Sequence, residues 1–290
     1  MKFSKQIPAA LVGVSLTFGL SACFHDDTDD DHHDSTISVH IHEEEVVVAS
    51  GRNEDSVEGT ATLEFHETEK ELKGSVIFTG TVAPDRLHIH SGFAGQTGGV
   101  VITLDESTTA GTWVIPEAEE TLTDEEIEIL EAGGYYLNAH FPDETTIRGQ
   151  IAFGDVTYVV SDLAAAKDAN DATITTTGTG FAGITVNTAT RAVASYVTVE
   201  NLASGNLAEN VHIHYDNVNE TTLVPVTLTK TADTPITFSN DNGTTDDNDT
   251  LTVEGFVEGN HGRWYINVHT TANPNGELRA DFGVFPTHSH

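Results

Sequence analysis

Two stretches of this chain repeat each other in order, and that repeat limits the possible folds more than any other feature. "VIFTGTV…LHIHSG…VVITL…YYLNAHF…IRGQI" aligns with "SYVTVENL…VHIHYD…VPVTL…WYINVHT…LRADF". His88 pairs with His212, His140 with His269 and Arg148 with Arg279, at offsets of 124, 129 and 131 residues, so the copies differ by short insertions. A chain of 290 residues has room for two domains of ordinary size. The repeat places them at about 39–154 and 155–290, with "SDLAAAKDANDA", 161–172, at the junction.

From residue 39 onward the runs are short and β-branched or aromatic, as in "EEVVVASG", "GTATLEFHE", "KGSVIFTGTV", "GGVVITL", "GTWVIP", "GYYLNAHF" and "TIRGQIAFG". Gly, Pro, Asp and Asn separate them, which is the pattern of strands and turns. One stretch departs from it. "TLTDEEIEILEAGG", 121–134, has a capping box from Thr123 to Glu126, can turn Ile127, Leu130 and Ala132 inward, and stops at Gly133-Gly134. The expected fold class is all-β: two tandem antiparallel β-sandwiches of immunoglobulin-like or superoxide-dismutase-like size, with one short helix in the first.

The first 23 residues read as a targeting segment. Lys2 and Lys5 precede an apolar stretch, "IPAALVGVSLTFGL", too short to span a bilayer. It ends in "LSAC", which resembles a bacterial lipobox, so residues 1–23 are expected to be a lipoprotein signal peptide and Cys23 the lipidated residue. Several acyl chains on one residue anchor stably. Phe24, where an Asp would retain the protein elsewhere, favours the outer membrane by resemblance to other lipoproteins. Residues 24–38 follow as an acidic disordered tether built on "HDDTDDDHHDS", in which His25, His32 and His33 could catch metal, although a solvated charge run accounts for it more simply.

Charge narrows the partners. Lys+Arg is 12 and Asp+Glu 46, a net of −34; without Lys2 and Lys5 the balance is 10 against 46, or −36. Such a surface repels nucleic acid and anionic lipid and attracts cations. Cys23 is the single cysteine, so the mature chain has no disulfide, no thiolate metal site and no cysteine nucleophile.

His-Ile-His occurs three times, in "SVHIHEE", "RLHIHSG" and "NVHIHYD". Residues i and i+2 of a strand share a face, about 6.5–7 Å apart. His88 and His90 therefore share one face, and Ile89 turns to the core. Asn138 and His140 obey the same rule on a later strand. If the two strands are neighbours, three imidazoles converge, and domain two repeats the set with His212, His214, Asn267 and His269. Neutral imidazole is a usual ligand for copper and zinc, and three nitrogens leave a position open. Asn138 and Asn267 would then support the ligands or hold their strand ends. The structural alternative is that the histidines bond backbone at a sheet end.

Arg148 and Arg279 follow the third histidine in each copy; they read as sheet-edge ion pairs or as partners of a carboxylate near the site. His40 and His42 lack a partnered Asn-x-His and fit an additional strand before the first copy, or ligands lent to a neighbour. "THSH", with His288 and His290, could act likewise or be a frayed tail. His66 has no counterpart and reads as surface. "NDNGTTDDNDT", 240–250, lacks the ligand spacing of an EF-hand loop and reads as a loop.

These residues resemble the CHRD domain, named from chordin and widespread in bacteria. The first copy supplies "HIHSGFAGQTGGVVITL", "LTDEEIEILEAGGYYLNAHF" and "TTIRGQI"; the second supplies "HIHYD", "WYINVHT" and "NPNGELRADF". The first copy lacks the Pro-x-Gly-Glu before its arginine. The second lacks the Gly after His-Ile-His and the helix before its Tyr-x-Asn-x-His. The resemblance implies an antiparallel β-sandwich and leaves the biochemical role open.

Enzyme signatures are thin: there is no Gly-x-Ser-x-Gly, no phosphate-binding Gly loop and no His-Glu-x-x-His. His-x-His on a β-sandwich is shared with Cu/Zn superoxide dismutase as an analogy of fold and ligand type alone. Three functions are therefore expected in order. The first is an envelope-anchored lipoprotein that binds copper or zinc through its three-His sites, with the membrane, the ion and another envelope or surface protein as partners. The second is a non-enzymatic interaction or adhesion module with structural histidines. The third is a copper-dependent redox enzyme. Unperturbed imidazole titrates near about 6.5, and surrounding carboxylates would favour its charged form. Metal affinity is accordingly expected to fall between about pH 7 and pH 5.

Overall fold

The structure is a computed structural model that describes residues 34–47, 51, 53, 57–167, 172–189, 192–217, 220–233, 236–240 and 263–283. Cys23, His25, His32, His33, His288 and His290, and nearly all of the 240–250 loop, lie outside the described residues.

Domain one contains β1 (Ser35–Ile41), β2 (Glu58–His66), β3 (Glu71–Thr79), β4 (Arg86–Ser91), β5 (Val100–Thr103), β6 (Asp105–Glu106), β7 (Thr112–Val114), α1 (Asp124–Glu131), β8 (Tyr135–His140) and β9 (Thr146–Ile151). Domain two contains β10 (Val156–Ala165), β11 (Thr179–Asn187), β12 (Ala192–Glu200), β13 (Ala208–Asn217), β14 (Glu220–Asp233), β15 (Ile236–Asn240), β16 (Arg263–Thr270) and β17 (Leu278–Gly283). Every strand pair is antiparallel, and the two-domain all-β fold class holds.

The two domains share one cyclic strand order. Domain one packs the sheet β1-β2-β3-β7-β6 against the sheet β5-β4-β8-β9. Domain two runs β10-β11-β12-β15-β14-β13-β16-β17 and closes. β14 crosses from one sheet to the other, bonding β13 through Val211↔Leu228 and β15 through Thr229↔Ser239. In domain one that crossing strand is cut at Leu104 into β5 and β6. The other edge is joined by a single bridge, His42↔Arg148, where domain two has Ala164↔Arg279 and Ala165↔Leu278. The second copy is thus a sandwich whose edges are both closed by hydrogen bonds, with no free strand edge among the described residues.

Alternation builds the cores. β2, "EGTATLEFH", alternates exposed and buried residues and sends Ala61, Leu63 and Phe65 inward. Leu87, Ile89, Leu137, Ala139 and Ile147 form the other half of the first core; Val211, Ile213, Ile266, Val268 and Leu278 are their counterparts in the second. α1 has the capping box read from Thr123 and Glu126, and Gly133, at φ 76, ends it; Leu130 is the residue it buries.

The tether boundary at residue 38 requires correction. β1 begins at Ser35, because "STISVHI" alternates and pairs with β2 from Ser35↔Phe65 to Ile41↔Gly59, burying Val39 and Ile41. The N-terminal His-Ile-His is thus the end of this extra strand. His40 points to solvent, and His42 bonds Glu45 at 3.2 Å.

The domains pack through the 92–98 loop and the 3₁₀ turn at Glu43–Glu45. The Ala94 amide donates to Thr185 Oγ1 at 3.2 Å, and Phe93 stacks on Tyr196 with ring centroids 6.0 Å apart and an 8° interplanar angle. A Cβ on Gly183 would stand 2.2 Å from the Ala94 carbonyl carbon, so only glycine lets the loop lie on β11. Tyr158 donates to Glu45 Oε1 at 2.8 Å from the domain-two side.

Candidate metal centres

The two histidine strands are hydrogen-bonded neighbours in both domains, at one register. His88 faces Asn138 and His90 faces Tyr136 across β4 and β8; His212 faces Asn267 and His214 faces Tyr265 across β13 and β16. On the next strand Asn138 faces Arg148 and Asn267 faces Arg279. Because Ile89 and Ile213 turn into the cores, the flanking histidines emerge together on the outer face.

His88, His90 and His140 offer nitrogens that all lie within 4.8 Å of one another, and so do His212, His214 and His269. Ring centroids in the first group are 5.5 Å (His88–His90), 5.2 Å (His88–His140) and 5.9 Å (His90–His140) apart. In the second they are 5.8 Å (His212–His214), 4.8 Å (His212–His269) and 6.3 Å (His214–His269).

Hydrogen bonds set the tautomers. His90 Nδ1 lies 3.0 Å from the Gly98 carbonyl, which can only accept, so Nδ1 carries the proton and Nε2 the lone pair. That Nε2 is buried and makes no hydrogen bond, nor does His88 Nδ1. His140 Nε2 accepts from Asn138 Nδ2 at 3.2 Å, so its lone pair is held by the asparagine. In domain two His269 Nδ1 donates to the Pro274 carbonyl at 2.8 Å, and His212 Nδ1 donates to His269 Nε2 at 3.1 Å. To hold a metal ion, these two nitrogens would have to give up that shared proton. Both nitrogens of His214 are buried without a partner. Orphaned buried polar atoms cost about 1–3 kcal/mol each and are rare without a function.

The electrostatics of five of the six rings are set first by burial. Burial, then the neighbouring His88, His90 and Arg86, bring His140 down to about 4; burial, then His212, His269 and Arg279, bring His214 to about 4. Burial lowers His88, His90 and His212 as well. Burial is the first cause at each of these five rings, with neighbouring imidazoles adding at four of them and a guanidinium at His88, His90, His140 and His214. Burial thus favours the neutral, ligand-ready form at these five rings.

Arg148 is not a sheet-edge ion pair. It is 3% exposed, and burial brings its guanidinium down to about 10. It donates to Gln96 O at 2.7 Å, Phe93 O at 3.0 Å and Gln150 Oε1 at 2.6 Å, clamping the loop that carries Gly98. Arg279 does form the expected pair, with Asp281 Oδ1 at 2.9 Å from Nε and 2.5 Å from Nη2. Asn138 contacts His140, whereas Asn267 donates to Asn275 O at 3.3 Å and steadies the turn that presents Pro274. His66 is half-buried and pairs with Asp34 at 3.1 Å.

Two kinds of residue escaped the sequence reading. Tyr136 stacks on His90 with a 17° interplanar angle, and Tyr265 on His214 with a 7° angle. Their signal was present, since Tyr-x-Asn-x-His places tyrosine on the face of the asparagine and histidine. Glu277 is buried and accepts from Thr176 and Thr270 hydroxyls and from Asn206 and Asn273 amides, holding the turn beneath His269. Its burial opposes ionisation, but those hydrogen bonds outweigh it and bring the carboxyl to about 2.

The CHRD domain family matches residues 37–151 and 159–282. The chain belongs to the CHRD-domain family. It carries two tandem copies, and each copy contains one three-imidazole group at the same place in its fold. No curated protein and no solved structure matches the chain. Both CHRD domains use the strand pair β4–β8 or β13–β16 as the platform, and they take the carbonyl that fixes a ring from different loops.

Proposed function

We propose that this CHRD-domain protein is an envelope lipoprotein that binds one transition-metal ion, copper or zinc, in each domain. The observation that carries the reading is the recurrence of three convergent imidazoles with unpartnered buried nitrogens at one register in both copies. His88, His90 and His140 would hold one ion and His212, His214 and His269 the other; three protein nitrogens leave room for an exchangeable ligand. In this reading Cys23 of "LSAC" carries the lipid, and the acidic surface draws cations to the outer membrane, where the protein buffers them or delivers them to an envelope partner.

Metal analysis after dialysis tests it. Two ions per chain are expected in the wild type, one in His88→Ala/His90→Ala and one in His212→Ala/His214→Ala. Equal content in all three sinks the reading. Loss of fatty-acid labelling in Cys23→Ser tests the anchor.

A further inference from the structure

Behind each imidazole group stands a stacked column that recurs in both domains. His90 lies on Tyr136 at 5.2 Å, and the Arg148 guanidinium carbon lies 3.5 Å from the same ring's centroid. His214 lies on Tyr265 at 4.7 Å, and the Arg279 guanidinium carbon lies 3.5 Å from that centroid. The tyrosine holds the ligand ring flat and places a fixed positive charge behind it. Neither group includes a carboxylate among the described residues, although the chain has 46 Asp and Glu. Three neutral donors cancel none of a bound ion's charge, and the guanidinium repels it in proportion to that charge. A divalent ion meets that repulsion twice over and still needs a fourth ligand. Cu(I) meets it once and is satisfied by three nitrogens.

We infer that both groups are built for a monovalent ion, Cu(I), in preference to Zn(II). The inference rests on the metal-binding reading above. It also separates the domains. Arg148 bonds only neutral groups and has the buried Glu45 carboxylate nearby, whereas Arg279 is paired directly with the exposed Asp281.

Anaerobic competition against chelators for Cu(I) and Zn(II) tests this at the second site, in the full chain carrying His88→Ala/His90→Ala. Asp281→Asn uncovers the guanidinium and is expected to raise the ratio of Cu(I) to Zn(II) affinity about three- to tenfold. Arg279→Met keeps the stem, removes the charge, and is expected to lower it by a similar factor. Damage to the fold would move both variants in one direction, so opposite shifts carry the inference. An unchanged ratio in both variants, or shifts of the same sign, overturns it while leaving metal binding intact. A wild-type chain that holds neither ion overturns the inference and the metal-binding reading together.

Discussion

In domain one the ring that a carbonyl fixes is His90, held by Gly98 of the 92–98 loop; in domain two it is His269, held by Pro274 of the 271–277 turn. The loops that do this are stabilised in opposite ways. The first is clamped from beneath by a buried cation, Arg148, and by Gln150, whose amide donates to Gly92 O at 2.9 Å and Gly133 O at 2.8 Å. The second is organised around a buried anion, Glu277. Thr146 stands at the position equivalent to Glu277 and bonds Gly51 O at 3.0 Å instead. The three rings, the tyrosine, the asparagine, the arginine and the strands that carry them are common to both domains, and the loops that fix the rings differ. The strand pair therefore defines the site, and a loop of either chemistry can complete it.

Arg148 should separate the domains most. Arg148→Met strips two loop carbonyls of their donor inside the protein and is expected to cost about 3–5 kcal/mol, read as a fall in the denaturation midpoint. Arg279→Met, at a half-exposed ion pair, should cost less than about 1 kcal/mol. Similar losses would end the distinction between a buried clamp and a surface pair.

Gly183→Val comes next. Its side chain would enter the Ala94 backbone, so about 2–3 kcal/mol should be lost and the 92–98 loop should become cleavable by protease. Cleavage within domain two instead would show that the loop does not depend on β11.

Glu277→Gln is expected to cost about 1–2 kcal/mol at neutral pH, and its pH dependence is diagnostic. The folded carboxyl titrates at about 2 and its ordinary value is 4.5. Its contribution is complete above pH 4.5 and disappears as pH falls towards 2. The wild type should lose stability through that window, and Glu277→Gln should flatten this limb. An acid limb of unchanged slope would mean that Glu277 is not the group responsible.

A milder effect than those of Arg148→Met and Gly183→Val belongs to Tyr158→Phe. It removes one hydrogen bond to Glu45 across the domain boundary and should cost about 1 kcal/mol. Because Glu45 still accepts from the Gln150 amide at 2.7 Å and bonds His42, its turn should stay in place, visible as unchanged amide exchange at Gln150.

Much of this was legible because strands have a period of two. "LHIHS" and "YYLNAH" name the faces of β4 and β8 without a structure, and the capping box from Thr123 to Glu126 names α1. The role of Arg148 was not legible. Its burial depends on a loop 52 residues earlier folding over it, and no local pattern records that closure. β1 was half-hidden for a similar reason, since its first residues border an acidic run and become a strand through pairing with β2.

The sequence by itself determined that this is a repeated all-β protein and that three histidines of each copy lie on strand faces, because alternation and repetition are local properties of the chain. The tertiary structure decided that the strands are neighbours, that burial favours the neutral form of five of the six rings, and that a guanidinium stacks on the tyrosine beside each group. Those facts depend on register and on which loop covers which strand. Both are settled by packing between residues distant in the chain, where the sequence carries no periodic signal.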